Sequence, residues 1–341
     1  MENFNLNALV RENIKSLSHY SGLREEYFDK NAKFLDANES PFGTWNRYPD
    51  SFHCDLKKRI AEIKNLEAEH IFLGNGSEDL IDLMIRVFCE PKKDSVIVMH
   101  PTYSMYEYYA VLNEVKVEKL RLDENFDIPK ADFDVLNLQN AKILFLCSPN
   151  NPTGNCVKDI EYFIKNFKGL VVVDEAYHLY SSENSAIDLL DKYSNLIILR
   201  TLSKAFGMAG LRIGIGISSV DIAQLISKVK PPYSISNASK QKALQELQNL
   251  DAIRERIRQV LESRNRLHEN LLKLRCVKKV HSTEANFLLV EFNDAERVYQ
   301  NLLQENIVTS LKHPEIWNCI RINVGTEEDN ENLLIQLRQQ K

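Results

Sequence analysis

LVVVDEAYHLYSSENSAIDLLDKYSNLIILRTLSK, residues 170–204, carries two apolar runs, Leu170–Val173 and Leu196–Leu199. Neither run alternates polar with apolar residues, which is the composition of strands buried on both faces of a parallel sheet. Asp174 ends the first run and Lys204 follows the second. The 30 residues between them are about one strand-crossover-strand unit, so neighbouring strands bring a carboxylate and an amine to one sheet edge.

The same pattern extends outward. HIFLG (70–74), SVIVM (95–99), EVKVEKL (114–120) and KILFLC (142–147) precede this stretch, and RIGIGIS (212–218) follows it. Strands separated by helical patterns require crossover connections, so the fold class is α/β, with a large domain whose mostly parallel central sheet is covered by helices. Beyond Lys230-Pro231-Pro232 the order changes. A polar helical stretch (about 235–274) gives way to VKKVHS, FLLVEF, a helix, IRINVG and a final helix, which reads as a smaller α+β lobe. The expected division is a large domain over 46–232 and a small α+β domain formed by 1–45 with 233–341.

The 341 residues are 44% hydrophobic and 27% charged, with 11 glycines and 10 prolines, a composition that suits a globular enzyme rather than a disordered or fibrous chain. A net charge of −5 argues against a general nucleic-acid binder, and no segment approaches the ~18 apolar residues of a membrane span. The first residues carry no apolar stretch of signal-peptide type, so the expected location is cytoplasmic. Six cysteines at irregular spacings include no CxxC pair, and the eight histidines include no HExxH, so no metal site is expected.

In an open parallel sheet, ligands sit beyond the carboxyl ends of the strands. The residues found there are Asn75-Gly76-Ser77-Glu78, Pro101-Thr102-Tyr103, Ser148-Pro149-Asn150-Asn151-Pro152-Thr153-Gly154, Asp174-Glu175-Ala176-Tyr177 and Lys204. Singly, each has a plain structural explanation: Asn-Pro-Thr-Gly is a good turn, Gly-Asn-Gly-Ser a loop and helix cap, a carboxylate at a strand end a cap. Together they converge on one cleft. A strand-end aspartate can keep a heterocyclic nitrogen protonated, and a poorly solvated lysine becomes a nucleophilic amine, the pair that pyridoxal phosphate uses. Asn151 and Tyr177 offer polar groups to the ring oxygen, and Tyr103 offers an aromatic face. Ser77 and Glu78 at a helix start, with Ser203 and Arg212, form an anion site for the phosphate. A dinucleotide fold is disfavoured, since neither GxGxxG after the first strand nor GxxxxGK is present.

LDANESPFG (35–43), RYPD (47–50), GNGSED (74–79), PTYSMY (101–106), CSPNNPTG (147–154), DEAY (174–177), TLSKAFGMAGLR (201–212) and CIRINVGT (319–326) stand in order along nearly the whole chain. In these motifs the sequence resembles the fold-type I pyridoxal-phosphate aminotransferases of class II, and within them looks like the histidinol-phosphate aminotransferases. The resemblance implies that Lys204 holds the cofactor covalently, that Asp174 pairs with its ring nitrogen, and that Asn151 and Tyr177 contact its ring oxygen. It implies stacking by Tyr103 and phosphate contacts from Ser77, Glu78, Ser203 and Arg212. Tyr48 would reach the cofactor phosphate of the other subunit of a homodimer, Arg321 would grip the anionic end of the substrate, and Tyr20 and Asn38 would lie near its imidazole or phosphate. The implied reaction transfers an amino group from a small phosphorylated amine, histidinol phosphate, to 2-oxoglutarate in histidine biosynthesis. The alternatives are another aminotransferase, acting on aromatic amino acids, or a phosphothreonine-type decarboxylase. Two departures stand out. Glu78-Asp79 reverses the family's usual order of acids, and Ser310 occupies a place where the family commonly has an arginine, unless Lys312 or His313 replaces it.

Overall fold

The computed structural model describes residues 4–18, 32–136 and 139–340. Seven strands form the larger sheet: β1 (Ile71–Gly74), β2 (Ser95–His100), β3 (Lys116–Arg121), β4 (Ala141–Cys147), β5 (Leu170–Asp174), β6 (Leu196–Thr201) and β7 (Gly214–Ser218). Their order is β1-β7-β6-β5-β4-β2-β3. The pairs β2·β3, β2·β4, β4·β5 and β5·β6 are parallel, whereas β7 runs antiparallel to both β6 and β1. Every residue of β5 and β6 is buried, as expected of strands covered on both faces.

The connection between β5 and β6 holds no α-helix. It is made by two short 3₁₀ turns, His178–Tyr180 and Ala186–Leu189. The SSENS segment between them is rich in groups that bond the backbone locally, and Ser185 does so, its hydroxyl accepting from the Ile187 N–H at 3.0 Å.

Four strands form the smaller sheet, β8 (Val277–Val280), β9 (Phe287–Phe292), β10 (Ser310–Leu311) and β11 (Cys319–Asn323), in the antiparallel order β10-β11-β9-β8. The polar stretch before it splits into helices Asn237–Glu246 and Leu250–Leu271. A separate apolar cluster including Leu288, Val290, Ile320, Val298 and Leu334 lies beneath this sheet. The expectation that the chain's first segment packs with this lobe fails for residues 4–18. Val10 and Ile14 join the core of the larger sheet, and the Arg11 N–H bonds the Val87 carbonyl at 3.1 Å. Two apolar side chains four residues apart can cover whichever core lies near, so their spacing does not choose between lobes. No helix among the described residues is long and apolar enough to cross a membrane.

Candidate active site

The sheet reverses its winding beside β4. From β2 the chain moves outward to β3, then returns to β4 and proceeds through β5 and β6 on the other side. Such a switch point opens a crevice at the carboxyl ends of the strands. A cavity of about 210 Å³ lies there, lined by Ser77, Glu78, Tyr103, Cys147, Asn151, Asp174, Ala176, Tyr177, Thr201, Ser203, Lys204, Arg212 and Arg321.

Asp174 occupies the floor, 3% exposed. Its Oδ2 accepts from the Tyr106 hydroxyl at 2.6 Å and its Oδ1 from the Ala176 N–H at 3.0 Å. Burial pushes its pKa up, and the Tyr106 bond opposes that shift. Lys204 has its Nζ 5.6 Å from the centre of the Tyr177 ring, and burial, followed by the nearby Arg321 guanidinium, holds its pKa below the usual lysine value. More of it is therefore the neutral, nucleophilic amine than in water. Tyr177 is 7% exposed and its hydroxyl lies 3.5 Å from Asn151 Nδ2, so both polar tips face the same side of the cavity.

The opposite end is built from backbone and cations. Helix Ser77–Phe88 begins here, with Gly76 before it at φ +86°, a conformation that L residues avoid. A Cβ on Gly76 would come within 2.6 Å of Arg212 Nη2, and one on Gly214 within 2.3 Å of the Ser77 nitrogen, so the helix start, β7 and the guanidinium are in close contact. The first N–H groups of this helix and Arg212 together favour an anion. Ser203 Oγ is buried with no partner among the described residues, a donor left for a ligand. Glu78 accepts from the Tyr103 hydroxyl at 2.5 Å and lies 3.9 Å from Arg212, so it braces these two side chains.

The smaller sheet closes the cavity. Arg321, on β11, donates from Nη1 to Asn151 Oδ1, and its guanidinium packs over Phe287, which meets Tyr177 edge-on at 5.2 Å. The donor set therefore fits a heterocycle with a ring nitrogen against Asp174, a ring oxygen against Asn151 and Tyr177, and a phosphate at the helix start.

Ten of the expected residues, Ser77, Glu78, Tyr103, Asn151, Asp174, Tyr177, Ser203, Lys204, Arg212 and Arg321, line this one cavity. Two described residues do not: Tyr48 is half exposed and stacks on Tyr233 at 4.5 Å, and Asn38 is exposed. Tyr20 lies outside the described residues. Sequence reasoning missed Cys147 and Thr201, which end β4 and β6, and Tyr106, which reads as helix core although it stands three residues after Tyr103.

A family model for aminotransferase class I and II matches residues 20–337. The histidinol-phosphate aminotransferase of Flavobacterium johnsoniae is 41% identical over 348 residues, covering 99% of each chain. Among solved structures, the histidinol-phosphate aminotransferase from Clostridium acetobutylicum matches with a TM-score of 0.79 at 28% identity, over 86% of this chain and 90% of that one. The L-threonine-O-3-phosphate decarboxylase from Porphyromonas gingivalis shares the fold, with a TM-score of 0.72 at 19% identity, over 86% of this chain and 90% of that one. With the motifs at the sheet edge gathered into one cavity and a full-length relative at this identity, the chain belongs to the aminotransferase class I and II family.

Proposed function

We propose that the protein is a pyridoxal-phosphate-dependent transaminase that converts L-histidinol phosphate and 2-oxoglutarate to imidazole-acetol phosphate and L-glutamate, in histidine biosynthesis. The single observation that carries this reading is the cavity in which Lys204, Asp174 and Arg321 meet, in a chain 41% identical to a histidinol-phosphate aminotransferase along its whole length.

When bound, the cofactor supplies an aldehyde that captures the donor amine and a protonated ring that stores the electrons left when a proton departs. Lys204 would hold the cofactor, and its free Nζ would accept the proton lost from the amine-bearing carbon of the substrate, becoming the ammonium that later gives it up. Its lowered pKa favours this general-base role near neutral pH. Asp174 keeps the ring nitrogen protonated. Asn151 and Tyr177 hold the ring oxygen, Tyr103 covers the ring, and Ser77, Ser203 and Arg212 hold the phosphate, with Glu78 orienting Tyr103 and Arg212. Arg321 receives the anionic end of the substrate.

Ser310 pairs directly with Arg321 across β10 and β11, and the Lys312 N–H bonds the Cys319 carbonyl at 2.8 Å, so Lys312 continues on the same face. Burial, then Arg321, lowers the Lys312 pKa. The shared face and the nearness of Arg321 support Lys312 as the second cation for the substrate phosphate in place of an arginine at 310.

The rest of the reading is that residues 46–232, joined by residues 4–18, form the cofactor-binding domain, with 233–341 as the substrate-closing domain, in a cytoplasmic homodimer. In that dimer Tyr48 reaches the neighbouring subunit's cofactor phosphate, and Asn38 serves the substrate's far end. A coupled assay with 2-oxoglutarate tests the reaction. Histidinol phosphate should far outpace phenylalanine and phosphothreonine as donor, whereas carbon dioxide release from phosphothreonine would overturn the proposal in favour of a decarboxylase.

A further inference from the structure

We infer that Tyr106 is a positioning residue that fixes both the carboxylate facing the cofactor's ring nitrogen and the aromatic side chain covering the ring. The inference rests on reading the cavity as the pyridoxal-phosphate site, but not on which substrate the enzyme takes. Tyr106 stands in the first turn of helix Met105–Leu112 and is completely buried. Its ring stacks on Phe145 of β4 at 4.7 Å and 10°, and meets the Tyr103 ring edge-on at 5.6 Å and 84°. Its hydroxyl donates to Asp174 Oδ2 at 2.6 Å.

A phenylalanine would satisfy the packing alone, and a buried hydroxyl is costly without a partner, so Asp174 accounts for the oxygen. The consequence is electrostatic. Asp174 is buried with Cys147 facing it from β4, Glu175 and Tyr177 beside it, Tyr103 from the helix side and Lys204 from beyond β6. Burial favours the neutral acid, whereas a donor on Oδ2 favours the carboxylate that a protonated ring nitrogen requires. Tyr106 therefore keeps the site in the charge state that binds the cofactor. Removing its hydroxyl makes the empty protein hold a proton on Asp174 to higher pH, and cofactor binding must then displace it.

The test is a titration of the apoprotein with pyridoxal phosphate across pH for the parent, Tyr106→Phe and Phe145→Leu. Tyr106→Phe should bind the cofactor about tenfold more weakly near neutral pH, with the loss growing as pH falls. Phe145→Leu, which loosens the stack and keeps the hydroxyl, should melt lower with an unchanged pH profile of affinity. An affinity of Tyr106→Phe within twofold of the parent at every pH overturns the inference. If that variant does not fold, 3-fluorotyrosine incorporated at position 106 is a nearly isosteric and stronger donor. It should move the affinity profile to lower pH, and an unmoved profile refutes the role. Because the readout is cofactor affinity, it stands or fails separately from the choice of amino donor.

Discussion

Arg200 and Glu175 form an ion pair beneath the site, with side chains 8% and 2% exposed. Arg200 donates to Glu175 Oε2 from Nε at 3.0 Å and from Nη2 at 2.6 Å, and the Glu175 carboxylate also accepts from the Ser185 hydroxyl at 2.9 Å and the Ala186 N–H at 2.7 Å. The pair bolts the ends of β5 and β6 together, one residue from Asp174 and four from Lys204. Arg200→Met removes the cation, keeps most of the volume, and leaves a buried carboxylate with two neutral donors. Breaking such a pair from one side costs about 3–5 kcal/mol, because the surviving charge keeps its desolvation penalty. Lys64 beside it, its pKa pushed down to about 8 by burial and then by Arg200, offers partial relief and places the cost toward the lower end. Urea unfolding of the parent, Arg200→Met, Glu175→Leu and the double variant at one protein concentration measures this as a double-mutant cycle. Each single variant should lose several kcal/mol and the double variant should recover much of that loss. A cost below about 1 kcal/mol for Arg200→Met, or simple additivity in the double variant, would refute the reasoning.

Asp174→Asn should divide stability from function. Burial raises the folded-state pKa of Asp174 above its unfolded value, so its contribution is full below the unfolded pKa and is lost as pH rises through the folded one. At neutral pH the apoprotein of this variant should therefore melt above the parent, while kcat falls on the order of 10²–10³-fold in a stopped assay. Lys312→Ala should raise the KM for histidinol phosphate about tenfold with kcat nearly unchanged and leave phenylalanine kinetics alone, as steady-state kinetics with both donors would show. Because the Lys204 pKa is held below the ordinary lysine value, the low-pH limb of kcat should correspond to protonation of a group with a pKa under that of free lysine, measured in the pH–rate profile.

Much of this was legible in residues 170–204, because a strand covered on both faces has to be apolar throughout, and because the residues after such strands are pinned at one edge whatever the loops do. The direction of β7 was not, since RIGIGIS has the same composition whether it runs with or against β6. The missing helix between β5 and β6 and the two-residue β10 reflect local polar bonding and short length, which periodicity cannot register. Arg200 reads as an ordinary polar residue in an apolar run, and Tyr106 as helix core. Their meaning comes only from partners 25 and 68 residues away in the chain, brought close by sheet order rather than by spacing. Tyr48 and Asn38 lie outside the cavity, and their motifs alone do not say what they touch.

The central claim is that Lys204 carries the cofactor and performs amino transfer. The most direct measurement is borohydride reduction of the pyridoxal-phosphate-loaded enzyme followed by peptide mapping and the histidinol phosphate assay. A single modified residue, Lys204, is expected, with activity lost in step with its modification. Label on another lysine, or amino transfer that survives full reduction, would contradict it.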